Sequence, residues 1–108
     1  MSGSIVQFRP TIGFDYEDIT VDNTAGGKSL TASKYRPTSS PQAETAFITV
    51  ENGPMRYTYN GTAPTSTLGH KASNGTILVL KGQHQMDTFR AIRTGSTDAT
   101  LRVTYERE

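Results

Sequence analysis

Apolar and polar residues alternate with a period of two along most of this chain, and helical spacing is hard to find in it. From Ile12 to Val21 the sequence reads Ile-Gly-Phe-Asp-Tyr-Glu-Asp-Ile-Thr-Val. Ile12, Phe14 and Tyr16 share one phase, while Ile19 and Val21 take the other. That change predicts a strand with a bulge or bend near Glu17-Asp18, because one extra residue sends later side chains to the opposite face. Ala46, Ile48 and Val50 alternate with Phe47, Thr49 and Glu51. Met55, Tyr57 and Tyr59 alternate with Arg56 and Thr58, and Leu101, Val103 and Tyr105 alternate with Arg102 and Thr104. Each run predicts a strand with one core face, and the phase puts Tyr57, Tyr59 and Tyr105 on it. Ile77-Leu78-Val79-Leu80 is apolar in both phases, the pattern of a strand buried on both sides. Shorter strands are expected over residues 5–8, 29–31 and 89–93.

Turn residues punctuate these runs. Asp22-Asn23-Thr24-Ala25-Gly26-Gly27, Asn52-Gly53-Pro54, Asn60-Gly61 and Asn74-Gly75 all read as turns. Pro37 and Pro41 make residues 35–44 a loop, and residues 62–71 are irregular. Seven or eight short strands joined by such loops predict an all-β protein, a single small β-sandwich over residues 1–108. Immunoglobulin-like and jelly-roll topologies both fit, since strand order does not follow from strand count. No internal repeat or domain boundary is visible. Residues 1–40 are looser in pattern and can include an arm that packs on a neighbour.

Composition sharpens this picture in three places. At 108 residues with 33% apolar content, the core must be thin, which suits a sandwich or an oligomer that shares interfaces. Eleven Lys and Arg against ten Asp and Glu, scattered singly, give no basic stripe for counterion release, so nucleic acid is not expected as a partner. The absence of cysteine removes disulfides, thiolate metal sites and thiol nucleophiles. The first residues show no signal-peptide pattern and no stretch is long enough to span a membrane, so synthesis in a cytoplasm and no membrane partner are expected.

Candidate chemistry is sparse. His70 and His84, with Asp87 three residues after His84, are the candidates for acid–base or metal work. A metal site needs three or four ligands, and the remainder would have to come from scattered carboxylates. Both histidines lie in polar, loop-like contexts and read as surface residues. Glu17 with Asp18, and Glu44 with Glu51, show no pairing across a cleft of the kind glycoside hydrolysis uses. Gly26-Gly27-Lys28-Ser29 is like the end of a phosphate loop, but Asp22 occupies the leading glycine position and no helix is expected after it, so it reads as a hairpin turn. No serine sits in a Gly-x-Ser-x-Gly elbow. Asn60-Gly61-Thr62 and Asn74-Gly75-Thr76 match a glycosylation acceptor and read as turns. No catalytic, metal or cofactor-binding residue is assigned, and no cofactor is expected.

The run from Ile48 through Asn52-Gly53-Pro54, Tyr57-Thr58-Tyr59-Asn60-Gly61-Thr62 and Thr65, with Gly69-His70, Phe89-Arg90-Ala91-Ile92-Arg93 and Leu101 to Tyr105, resembles small phage virion structural proteins. The likeness spans about residues 19–105 and carries no site motif. It implies a capsid decoration or cement protein, or a minor head or tail component, located in the virion after assembly in the host cytoplasm. Residues 57–65 are also similar to a turn of the immunoglobulin-like module appended to chitobiase-type enzymes, with Asn60 at that motif's Asp position. Shared turn chemistry accounts equally well for this second likeness.

Three functions follow as expectations. The first is a non-enzymatic phage structural protein that forms a homo-oligomer and binds capsid or tail proteins. The second is a carbohydrate-binding module with Tyr35 or Tyr16 as stacking platform. The third is a small enzyme built on His70, His84 and Asp87.

Overall fold

The computed structural model describes residues 11–39 and 41–108. Seven strands form in the order β1 (Ile12–Val21), β2 (Thr45–Glu51), β3 (Met55–Thr58), β4 (His70–Ala72), β5 (Ile77–Lys81), β6 (Arg90–Arg93) and β7 (Ala99–Arg107). Two short helices, α1 (Ala32–Tyr35) and α2 (Gly82–Thr88), interrupt them. The strand expected over residues 5–8 lies outside the described residues.

The strands make two antiparallel sheets, ordered β1-β7-β2-β5 and β4-β3-β6. Their pairing nests: β1 with β7, the segment at Lys28 with Ala91 of β6, β2 with β5, and β3 with β4. Lateral pairs β2·β7 and β3·β6 then close each sheet. This is one long antiparallel hairpin rolled on itself, a jelly roll, with the strand expected over residues 29–31 reduced to a single bridge at Lys28. An immunoglobulin order would set β1 beside β2, but β7 lies between them here.

Alternation decides which side chains enter the core. Leu101, Val103 and Tyr105 of β7 and Ala46, Ile48 and Val50 of β2 are fully buried, with Ile19 and Val21 of β1 on the same side. Met55 of β3, Ala72 of β4 and Ala91 of β6 close the core from the second sheet, joined by Met86 of α2 and Phe89. Each Val, Leu, Ile, Met or Phe side chain in this set contributes about 1.5–3 kcal/mol on burial.

Several expectations change. The register shift in β1 falls between Gly13 and Asp15, at Phe14, rather than at Glu17-Asp18. The extra residue there turns Tyr16 and Asp18 outward and Glu17 and Ile19 inward. β5 is an edge strand, with Leu78 and Leu80 buried but Ile77 58% and Val79 45% exposed. A four-residue apolar run therefore does not mean two buried faces in this chain. Tyr59 falls outside the core, 43% exposed, because β3 ends at Thr58. α2 has one buried residue, Met86, too few to produce a helical period. α1 is a single turn at the start of the expected loop, and it buries Tyr35.

Two buried tyrosines tie the ends of the chain to its middle. The Tyr105 ring lies 5.8 Å from that of Tyr35, and its hydroxyl donates to the Glu17 carboxylate on β1. Glu17 also accepts from the Thr31 backbone N–H and hydroxyl, which fixes the approach to α1. The Tyr35 hydroxyl donates to Asp87 of α2 at 2.9 Å. Among the described residues no buried side-chain nitrogen or oxygen lacks a partner.

Burial, followed by the hydrogen bond to Asp87, pushes the Tyr35 hydroxyl up to about 12, and burial with Glu17 raises Tyr105 well above the ordinary tyrosine range. Both hydroxyls are raised above the unfolded value, so their stability contribution is complete below about pH 10 and declines as pH rises above it. Thermal melts should show a steep loss of stability above pH 10. Tyr105→Phe should lower stability at neutral pH by about 1–3 kcal/mol in urea unfolding and flatten that alkaline slope. An unchanged slope in Tyr105→Phe would contradict this assignment.

Candidate functional site

Cross-strand register sets the outer face of the four-stranded sheet. One row runs Tyr16, Thr104, Phe47, Val79 across β1, β7, β2 and β5. The next row runs Asp18, Arg102, Thr49, Ile77. Tyr16 is 49% and Phe47 38% exposed, so with Ile77 and Val79 four large apolar side chains face solvent on one sheet. They sit among threonines, the residue type that keeps a strand face β-forming without adding charge.

Three charged side chains on this face are tied into one network. Arg102 pairs with Asp18 at 2.8 Å and with Glu51 at 3.2 Å, bridging β1 and β2 across β7. The Tyr16 hydroxyl donates to Asp18 at 2.5 Å, and this hydrogen bond together with Arg102 holds the Asp18 carboxyl below its usual range. The same contact with Asp18 raises the Tyr16 hydroxyl. The Glu51 and Asp18 carboxylates both hold Arg102 in its charged form. The face thus presents aromatic, aliphatic and threonine side chains around this partly exposed charge network.

A second feature lies at the β5 edge, beside the open end of the sandwich. Tyr57, Tyr59 and His70 form an aromatic cluster: the Tyr57 and Tyr59 rings are 6.4 Å apart and inclined by 25°, and His70 lies 5.3 Å and 5.8 Å from them. Tyr57 is anchored by Phe89, 6.0 Å away in the core, and burial raises its hydroxyl above the ordinary range. These separations suit tilted or offset aromatic pairs. On one side of the cluster an open pocket of about 530 Å³ is lined by Tyr59, His70, Asn60, Thr62 and Leu68. On the other side a groove of about 270 Å³ runs between Tyr57, Tyr59 and the β5 residues 77–81.

The sequence candidates are dispersed over this frame. His70 is on β4 and His84 on α2, neither in a loop as expected. Asp87 is held by the Tyr35 hydroxyl and by an ion pair with Arg36. Glu17 serves Tyr105 and Thr31, while Asp18 and Glu51 share Arg102. Among the described residues no group of three or more His, Asp or Glu comes together to hold a metal ion. Tyr35 is 4% exposed and offers no stacking platform, whereas Tyr16 does face solvent. Gly26 and Gly27 make the expected turn, and a Cβ on Gly27 would meet Pro64 and Arg90 at 3.1 Å. Close packing against β6, together with a positive φ, requires glycine there. Asn60 Oδ1 accepts from the Thr62 backbone and Asn74 Oδ1 from the Asn52 backbone, so both asparagines shape turns.

Sequence reasoning missed Phe47, Ile77 and Val79 as surface residues, as well as the Tyr59–His70 pair. The alternating Phe47 phase was the available signal for the first. No spacing links residues 59 and 70. Among the described residues no helix is long and apolar enough to cross a membrane. No family model, curated protein or solved structure matches this chain.

Asp87→Ala should destabilise the fold by about 1–3 kcal/mol in urea unfolding, since it strips the Tyr35 hydroxyl of its acceptor. His84→Ala should stay within about 0.5 kcal/mol. The reverse order would contradict this structural assignment of Asp87.

Proposed function

We propose that this chain is a non-enzymatic phage virion structural protein, a capsid decoration or cement component that binds shell subunits as a homo-oligomer through protein–protein contacts. The observation that carries the reading is the exposed row Tyr16, Thr104, Phe47, Val79, with Ile77 beside it. Contiguous apolar side chains on a monomer surface mark interaction sites. The Asp18–Arg102–Glu51 network supports the same reading, because charges already paired within the face can be covered with less loss of hydration. The likeness of residues 19–105 to small phage structural proteins supplies the kind of partner, capsid or tail subunits. The jelly-roll frame is one that viral capsid domains use, although fold alone does not assign function. On this reading the protein is made in the host cytoplasm and resides in the virion.

A second reading has its own observation. The Tyr59–His70 pocket, with Asn60 and Thr62 on its rim, offers an aromatic face beside amide and hydroxyl groups, which suits a sugar ring. In that case the chain is a carbohydrate-binding module on a virion or tail, and the platform is Tyr59 rather than Tyr35.

Cosedimentation with phage particles lacking this protein separates the two. The first reading expects saturable binding that falls by at least about tenfold in Phe47→Asp, with Tyr59→Ala unaffected; this corresponds to losing one buried apolar anchor at an interface. Binding on a glycan array that disappears in Tyr59→Ala, with no particle binding, would replace the first reading by the second.

A further inference from the structure

Among the described residues nothing pairs with the outer edge of β5. It is paired with β2 on one side alone, and it carries the most apolar run of the chain. Edge strands are ordinarily protected by charge, proline or bulges, and residues 77–80 have none of these. The hydrogen-bonding parity is clear. Val50 donates to the Thr76 carbonyl and Gly82 to the Glu44 carbonyl, so the even residues of β5 face β2. Ile77, Val79 and Lys81 therefore direct their backbone groups outward. The Lys81 N–H is closed by the Gln85 side chain at 2.7 Å, which leaves Ile77 and Val79 open among the described residues. Beside that edge runs the groove floored by Tyr57 and Tyr59. An open edge above an aromatic floor is the geometry of strand addition, in which main-chain bonds hold an extended segment and alternate side chains fill the groove.

We infer that this edge is completed by residues 5–8 of a neighbouring copy. This deepens the assembly reading above and rests on it. Ile5-Val6-Gln7-Phe8 is a strand-forming run that lies outside the described residues, ten residues in length with its flanks, and it joins the body at β1. In a strand added there, Val6 and Phe8 would share one face and meet the tyrosine floor, while Ile5 and Gln7 would share the other and extend the row of Ile77 and Val79. Reach makes the contact intermolecular. β1 is the opposite edge of the sheet, so the position beyond β5 is four strand spacings away, about 19 Å. From Phe8 to Ile12 the chain spans at most about 14 Å. Phe8 cannot reach its own β5 edge, but it can reach that of another copy.

The test uses full-length variants and light scattering. The wild-type chain should form an oligomer. The arm variant V6D/F8D and the edge variant Val79→Pro, which removes an outward N–H and leaves the β2 ladder intact, should each be monomeric. Mixed together they should form a one-to-one complex, since one supplies an intact edge and the other an intact arm. Val79→Lys serves as the edge variant if circular dichroism shows that the proline chain is unfolded. A synthetic peptide of residues 1–11 should bind V6D/F8D at least about tenfold more tightly than Val79→Pro. An oligomer that survives V6D/F8D, as direct β5-to-β5 pairing would give, overturns the proposal, and so does failure of the two variants to complement. Particle binding is scored separately. If complementation fails while Phe47→Asp still abolishes particle binding, the arm inference falls and the virion reading stands. The converse result removes the virion reading and keeps the arm.

Discussion

Tyr105 has no exposed surface, yet its hydroxyl must find an acceptor, and Glu17 on the neighbouring strand supplies it. A buried phenol without a partner costs about 1–3 kcal/mol, a large fraction of the stability of a chain this small. Meeting that need sets the relation between β7 and β1. It also draws in Thr31 through the same carboxylate, and Tyr35 through ring contact. Tyr35 then repeats the arrangement with Asp87, which is itself paired with Arg36. In this way residues from position 17 to position 105 are tied together at one end of the sandwich. Glu17 and Asp87 are both engaged in holding this end together.

Nested pairing has a consequence for the surface. Rolling one long hairpin places β7 and β2 at the centre of a sheet and leaves β1 and β5 as its edges. Among the described residues the outer face of that sheet has no helix over it, since α1 and α2 turn Tyr35 and Met86 into the core. Phe47, Tyr16, Ile77 and Val79 are consequently left in solvent, around a charge network that closes on itself. A thin core and an uncovered apolar face are two sides of one composition. With a third of its residues apolar, this chain leaves several of them exposed among the described residues.

Much of the frame was legible in the residues. Period-two alternation located β1, β2, β3 and β7, and the inward set Ala46, Ile48, Val50, Leu101, Val103 and Tyr105 follows from it directly. The failures share a cause, which is that local pattern does not report position within a sheet. The run at residues 77–80 has the same appearance at an edge as at a centre. Tyr59 kept its phase after its strand had ended, and the bulge at Phe14 hid behind a phase change seen several residues later. α2 offers a single apolar residue, so no period could reveal it. The site was harder still. Residues 35 and 87, 17 and 105, and 59 and 70 meet through topology, and no spacing rule relates them.

The central claim is that the uncovered face and edge formed by β2 and β5 are an assembly surface. Amide hydrogen exchange at Ile77 and Val79, measured in the full-length chain across a wide range of protein concentrations, tests it most directly. Their N–H groups point away from β2, so a lone molecule exposes them to solvent. If the surface is used, exchange at these two amides slows as concentration rises, while Leu78 and Leu80 are protected throughout. Equally fast exchange at Ile77 and Val79 at every concentration would mean that the edge stays bare, and the claim would fail.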